Sequence, residues 1–419
     1  MPRTVLDVTR LLTRASYEVA TGVDRVEMAY ARRALAMPAE RVGFAAVVGQ
    51  RSVPLEADAV RSFIEALDAK WRGVAGDDAA ARRLALRLGA QPPAGRPDAE
   101  APRRHVRRLA LSLKAAAAGA YLRSPVEPGD AYVHVSHIRL DRPKAFHRLA
   151  AQGARLAIMA HDLIPIRFPE YARPGEDERH RRRMTTAIET ASTVIANSAE
   201  TARDFLAFAA EQKLPAPPVI PALLGLEPGF APDAPALQAA RPYFLTLGTI
   251  EPRKNHLLLL HLWRRLAERM GEETPALVIV GRRGWENEMV VDLLERSPSI
   301  RRHVVEANDL SDVALTALIK GARALLFPSF SEGYGLPLAE ALSLGSPALA
   351  SDLAAFREIA GDRIDYLDPL DAPGWERAVL DYASATSTAR ADALARLAGF
   401  AAPTWEEHFR MVRDATGLD

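Results

Sequence analysis

The chain has 419 residues, 48% of them hydrophobic and 26% charged, and its 54 basic and 53 acidic side chains leave a formal charge of +1. That length exceeds what one hydrophobic core usually serves, so two domains are expected, and the balanced charge gives no reason to expect a nucleic-acid partner. With no cysteine, disulfides, thiol nucleophiles and thiolate metal sites are excluded.

The opening MPRTVLDVTRLL is broken by polar residues before it reaches the length of a signal-peptide core. No run attains the roughly 20 apolar residues of a spanning helix, so a cytoplasmic protein is expected. Strand-like TVLDV (4–8) leads into a helical pattern from Val23 to Leu35, followed by strand-like VGFAAVV (42–48), AYVHVSH (131–137), RLAIMAHDL (155–163) and TVIANS (193–198). Strands alternating with helices predict a parallel sheet covered on both faces. Between about 77 and 128 Arg, Ala, Pro and Gly dominate, which predicts a helical insertion. Its segment RRHVRRLALSLKAAAAGAYLRS (103–124) joins a basic cluster to an apolar helix. Such a pattern suits peripheral contact with an anionic membrane surface, and it equally suits packing on its own domain.

Prolines at 215, 217, 218, 221, 228, 232, 235 and 242 rule out helix or central strand and mark the domain boundary. The expected division is 1–235, then 236–402, with a helix over 403–419 whose Trp405, Phe409 and Val412 share one face and pack across both domains. Beyond the boundary five apolar strands alternate with helices: YFLTLG (243–248), ALVIVG (276–281), HVVE (303–306), ARALLFP (322–328) and PALAS (347–351). The fold class predicted is α/β, with a second doubly wound domain after the first.

Ligands of open parallel sheets bind beyond the carboxyl ends of the strands, so the loops there hold the candidates. After YFLTLG, with Gly248 at its end, stand Arg253 and Lys254 at the start of a helix. An exposed basic pair there opposes the helix dipole, yet it suits a diphosphate; a solvated pair is the plainer reading. After ARALLFPS comes SEGYGLPLAE, where Gly333 and Gly335 permit close backbone approach and Pro337 fits a first helical turn. The N–H groups of that helix would face an anion. Glu332 lies in the turn and Glu340 one turn into the helix. Carboxylates there can merely satisfy the dipole, or can accept hydrogen bonds from vicinal hydroxyls of a ribose or hexose. In the first half, Gly22 opens a helix with Arg25 in its first turn, and His161 and Asp162 stand at a strand end. A strand-end histidine is as readily a structural group satisfied by a backbone carbonyl. No partner lies at metal-ligand spacing from it, and no metal is expected.

The segments LTLGTIEPRKNHLLLLHLW, LVIVGRRGW and LLFPSFSEGYGLPLAEALSLGSPALASD resemble the retaining glycosyltransferases of family 4, and Glu332 and Glu340 have that family's E-x7-E spacing. TGVDRV, AHDLIPIRFPEY and VIANSAETARDF resemble it more loosely. The resemblance implies the GT-B fold, two facing Rossmann-like domains with the site between them. It implies that Arg253 and Lys254 contact a donor diphosphate and that Glu340 holds the ribose. Glu332, with the backbone of Gly333, Tyr334, Gly335 and Leu336, would meet the transferred sugar and phosphates. His161 would lie under the sugar, and Gly22 and Gly248 would line the donor side. Catalytic roles thus fall to Arg253, Lys254, Glu332 and His161. The partners implied are a nucleotide-sugar donor, as substrate and with no separate cofactor, and a glycan or lipid-linked acceptor. GDP-mannose is the favoured donor, for a bacterial surface polysaccharide. Asp24 stands where many relatives carry a second glycine, and PALLGLEPGF replaces a commoner Asn-Gly-Val-Asp step. A dinucleotide oxidoreductase fits poorly, since no G-x-G-x-x-G follows a first strand. An epimerase, a phosphorylase or a non-catalytic binding protein would use the same cleft.

Overall fold

A computed structural model describes residues 2–72, 79–91, 100–226, 234–308 and 310–418. Parts of the expected insertion and of the proline-rich boundary therefore lie outside the described residues. The first sheet has seven strands: β1 (Thr4–Asp7), β2 (Val42–Val48), β3 (Arg51–Leu55), β4 (Ala131–His134), β5 (Arg155–Ala160), β6 (Thr193–Ala196) and β7 (Val219–Pro221), in the order β3-β2-β1-β4-β5-β6-β7. The second has six: β8 (Tyr243–Leu247), β9 (Ala276–Val280), β10 (Val304–Ala307), β11 (Leu325–Phe327), β12 (Ala348–Ser351) and β13 (Asp365–Leu367), in the order β10-β9-β8-β11-β12-β13.

The central strands are short apolar runs buried along their whole length, as covered parallel strands must be; β1, β4, β8 and β12 have no exposed residue. Both sheets double back at an equivalent point, between β1 and β4 in one and between β8 and β11 in the other. The crevices beyond those strand ends are where such sheets receive ligands.

The strands that differ from the expectation, β3, β7 and β13, all lie at sheet edges. β3 pairs antiparallel with β2, so the first sheet is mixed rather than parallel. The cause is a hairpin: Val48 pairs with Arg51 across a two-residue turn in which Gly49 takes φ 58°. β13 is a sixth strand where five were expected, and its half-buried edge position gives it no continuous apolar run.

The last helix, Trp405–Thr416, was expected to lie across both domains. It packs on β4 and β5. His408 bonds the Tyr30 hydroxyl at 2.7 Å and the Leu223 carbonyl at 3.0 Å, and Thr4 Oγ1 donates to the Thr416 carbonyl at 2.9 Å.

Candidate active site in the interdomain cleft

The loop after β8 runs Gly248 to Asn255, whose φ of 55° turns the chain into the helix His256–Met270. The loop after β11 runs to Gly335, whose φ of 118° caps the helix Leu336–Ser343. These two loops bring together residues 78 positions apart: Lys254 Nζ reaches Glu332 Oε1 at 2.5 Å, and Arg253 Nη1 reaches Glu332 Oε2 at 2.7 Å. Arg253 Nε also meets Glu251 at 2.7 Å, and Ser329 Oγ donates to Glu332 at 2.8 Å. The Lys254 ammonium stands 4.7 Å from the Phe327 ring centroid.

The basic pair is therefore not exposed, as the sequence suggested. Lys254 is 7% exposed, and the neighbouring carboxylate supplies the countercharge that a buried ammonium requires. Burial raises the Glu332 carboxyl, but the Arg253 and Lys254 charges outweigh it and hold Glu332 down at about 2. Arg253, although burial disfavours its charge, is raised by Glu332 and Glu251.

The facing side is built from the first sheet. His161, at the end of β5, is buried; its Nε2 donates to the Val135 carbonyl at 2.8 Å, and its backbone N–H donates to His137 Nε2 at 3.1 Å. Burial lowers it to about 4, so it is neutral near pH 7. The backbone-satisfied arrangement is thus the one observed. His137 also lies beside His180, ring centroids 4.8 Å apart, but among the described residues no three His, Asp or Glu side chains are grouped to hold a metal ion.

Gly333 packs directly on this strand end: a Cβ there would lie 2.2 Å from the His161 carbonyl oxygen. The Gly333 carbonyl accepts from Ser198 Oγ at 2.8 Å and Thr201 Oγ1 at 3.2 Å. Tyr334 is buried, and its hydroxyl donates to the Leu224 carbonyl at 2.8 Å.

Asp24, the departure noted in the sequence, has a structural reason. It is the third residue of the helix Gly22–Ala36 and completes a capping box with Thr21, accepting from the Thr21 N–H at 2.8 Å. Arg10 and Arg14 pair with it at 2.6 and 3.1 Å. This fixes Gly22 where a Cβ would stand 3.3 Å from Leu336, so two helix N-termini from opposite domains meet.

Six of the eleven expected residues line one of two cavities, and His161, Tyr334 and Gly335 line neither. One, of about 280 Å³, is lined by Gly22, Gly248, Leu336 and Glu340 among others. The second, of about 310 Å³, is lined by Asp162, Glu332 and Gly333. Lys254 and Arg253 line neither; Lys254 lies behind Gly248, its Cε 3.2 Å from where a Cβ would be. Sequence reasoning missed Glu251, and it missed the pairing of Arg25 with Glu340 and Asp312 at 3.3 and 3.1 Å. Arg25 was visible in the first helical turn, but its partners lie some three hundred residues away, and nothing local signals them.

Residues 231–367 match the family model of Glycosyl transferases, group 1. This corrects the resemblance to family 4: the matched family is group 1. The serotype-specific mannosyltransferase WbdA of Escherichia coli is 32% identical over 237 residues, covering 52% of this chain and 28% of its own length. The O-antigen chain mannosyltransferase B of Escherichia coli is 29% identical over 234 residues, covering 54% of this chain and 59% of its own. The chain thus matches well under a third of the length of the first relative. Among solved structures, Anabaena HepE in complex with UDP is 13% identical and aligns over 100% of both chains with a TM-score of 0.56. The two facing sheets have the GT-B architecture.

Proposed function

We propose that the chain is a retaining hexosyltransferase that uses a nucleotide-diphosphate sugar, GDP-mannose first, to extend a glycan or lipid-linked acceptor of a bacterial surface polysaccharide. The observation that carries this reading is the ion-paired group of Arg253, Glu332 and the buried Lys254 at the switch point of the second sheet, facing the switch point of the first. Arg253 has five N–H donors and Lys254 three, and the contacts described use only some of them, so a diphosphate can join the group. The mannosyltransferase names of the relatives support the choice of sugar.

In the reaction the acceptor oxygen bonds to the anomeric carbon on the face from which the diphosphate departs. The bond to the phosphate oxygen breaks, and the acceptor proton passes to a phosphate oxygen of the donor. Negative charge grows on the leaving diphosphate, and Arg253 and Lys254 are prepositioned to stabilise it, which makes a metal ion unnecessary. Neutral His161 lies under the donor sugar.

The test is a thermal-shift panel of UDP, GDP, ADP and dTDP and their sugar conjugates. Ligand at 100 times its Kd stabilises by about 2.7 kcal/mol. GDP compounds should shift wild type and not Lys254→Ala, turnover should survive EDTA, and the product should keep the donor's anomeric configuration. Silence across the panel would remove the reading. Product formed without acceptor would favour an epimerase.

The outer face of the helix Glu100–Gly119 exposes Arg104, Arg107, Arg108 and Lys114 together with Leu111, which is 66% exposed. This supports peripheral contact with an anionic bilayer, and failure to sediment with anionic vesicles at low salt would exclude it. Among the described residues no helix is long and apolar enough to cross a membrane.

A further inference from the structure

Arg25 lines the cleft and has no role in the proposed chemistry. It projects from the first domain between two carboxylates of the second: its Nη1 donates to Glu340 Oε1 at 3.3 Å and its Nη2 to Asp312 Oδ1 at 3.1 Å. All three line the cavity of about 280 Å³, and none is more than 22% exposed at its side chain. Each end of the bridge is fixed by its own backbone. Arg25 follows directly on the Thr21 and Asp24 capping box, and Asp312 opens the helix Asp312–Gly321, which Ser311 caps by accepting from the Ala314 N–H at 3.1 Å.

Arg25 is shared between two carboxylates, Glu340 and Asp312, both of which line the cavity. Both carboxylates accept, so this end of the cavity suits hydroxyl donors. A carboxylate offers about four lone-pair sites, so Glu340 can hold Arg25 and a vicinal diol together. Resting on the reading of Glu340 given above, we infer that Arg25 is a positioning residue for the ribose of the donor: Asp312 holds Arg25, and Arg25 fixes the Glu340 carboxylate toward the diol. Because the bridge spans the two domains, an aligned Glu340 exists only when the cleft is closed.

The experiment is calorimetric titration of full-length protein with GDP and with 2′,3′-dideoxy-GDP, and with the UDP pair if GDP does not bind. Arg25→Lys keeps the charge but loses the planar fork that bridges two carboxylates. It should weaken GDP about tenfold, the scale of one charge-assisted hydrogen bond, and leave the dideoxy compound unchanged. Asp312→Asn should show the same selective loss, smaller in size, and serves if Arg25→Lys does not fold. Equal loss for both nucleotides would mean a phosphate contact or general distortion and would overturn the inference, as would no loss for either. Glu340→Gln separates the two levels. If it weakens GDP while Arg25→Lys and Asp312→Asn do not, the inference alone fails; if it leaves GDP unaffected, or if neither nucleotide binds wild type, the reading of the cleft fails with it.

Discussion

At the scale of single residues, Glu332 holds two basic side chains together. It is the countercharge that allows Lys254 to be buried, at 2.5 Å, and it pairs with the partly exposed Arg253 at 2.7 Å. Removing it strands the buried Lys254, while Arg253 keeps Glu251 at 2.7 Å, and losing one partner of a buried pair typically costs about 3–5 kcal/mol. Glu332→Ala should therefore lower Tm markedly, and added GDP should recover part of the loss, because a diphosphate would restore the missing charge; a Tm equal to wild type would show the pair to be solvated. Lys254→Ala should instead lower kcat by about 10²-fold with saturating donor, the scale of one preorganised electrostatic donor, and an unchanged kcat would remove Lys254 from the chemistry. The identities of these residues were legible in the sequence because each follows an apolar strand. Their burial was not, since a Lys shielded by Phe327 and paired with Glu332 reads locally like any helix-start lysine. His161 shows the converse limit: its neutral state follows from burial, which the strand end alone does not reveal.

At the scale of elements, the turn that joins β11 to its helix is shaped by what it must approach. Gly333 has no room for a side chain, since its Cβ would lie 2.2 Å from one backbone oxygen and 2.9 Å from Asp162 Cβ. Gly333→Ala should push the turn off the first domain while leaving both sheets intact. The expected outcome is a raised KM for donor with an unaltered far-ultraviolet circular dichroism spectrum, and wild-type KM would contradict the close approach. The strands of both sheets were readable as short apolar runs between helical patterns, and their boundaries differ from the expectation by few residues. β3 escaped because its Arg51–Leu55 run contains Pro54 and lies on an edge, where ladder pairing tolerates proline and apolar continuity is not needed. β7, with Pro221, lies at the opposite edge for the same reason.

At the scale of the molecule, buried histidines make the fold sensitive to acid. Burial lowers His161 and His408 to about 4 and His256 to about 3, all below the ordinary 6.5. Each stays neutral in the folded chain while the unfolded chain takes up a proton, so the stability they contribute is whole above pH 6.5 and is lost as pH falls through about 4 to 3. Glu332 extends the loss from 4.5 down to about 2. Tm should fall steadily below pH 6.5, and a level Tm down to about pH 4 would contradict this linkage. His256 has neither ring nitrogen hydrogen-bonded among the described residues, so His256→Leu should keep the neutral-pH Tm and flatten the acid slope. The helix Trp405–Thr416 has a different bearing, on how the protein is made. It follows the whole second domain in sequence, yet it covers β4 and β5 of the first. As the chain emerges from the ribosome, the first sheet must wait with that apolar face uncovered until nearly two hundred further residues have been added. Domains usually fold as units in the order of their synthesis. Here the first sheet receives its last covering helix only after the second domain has been made.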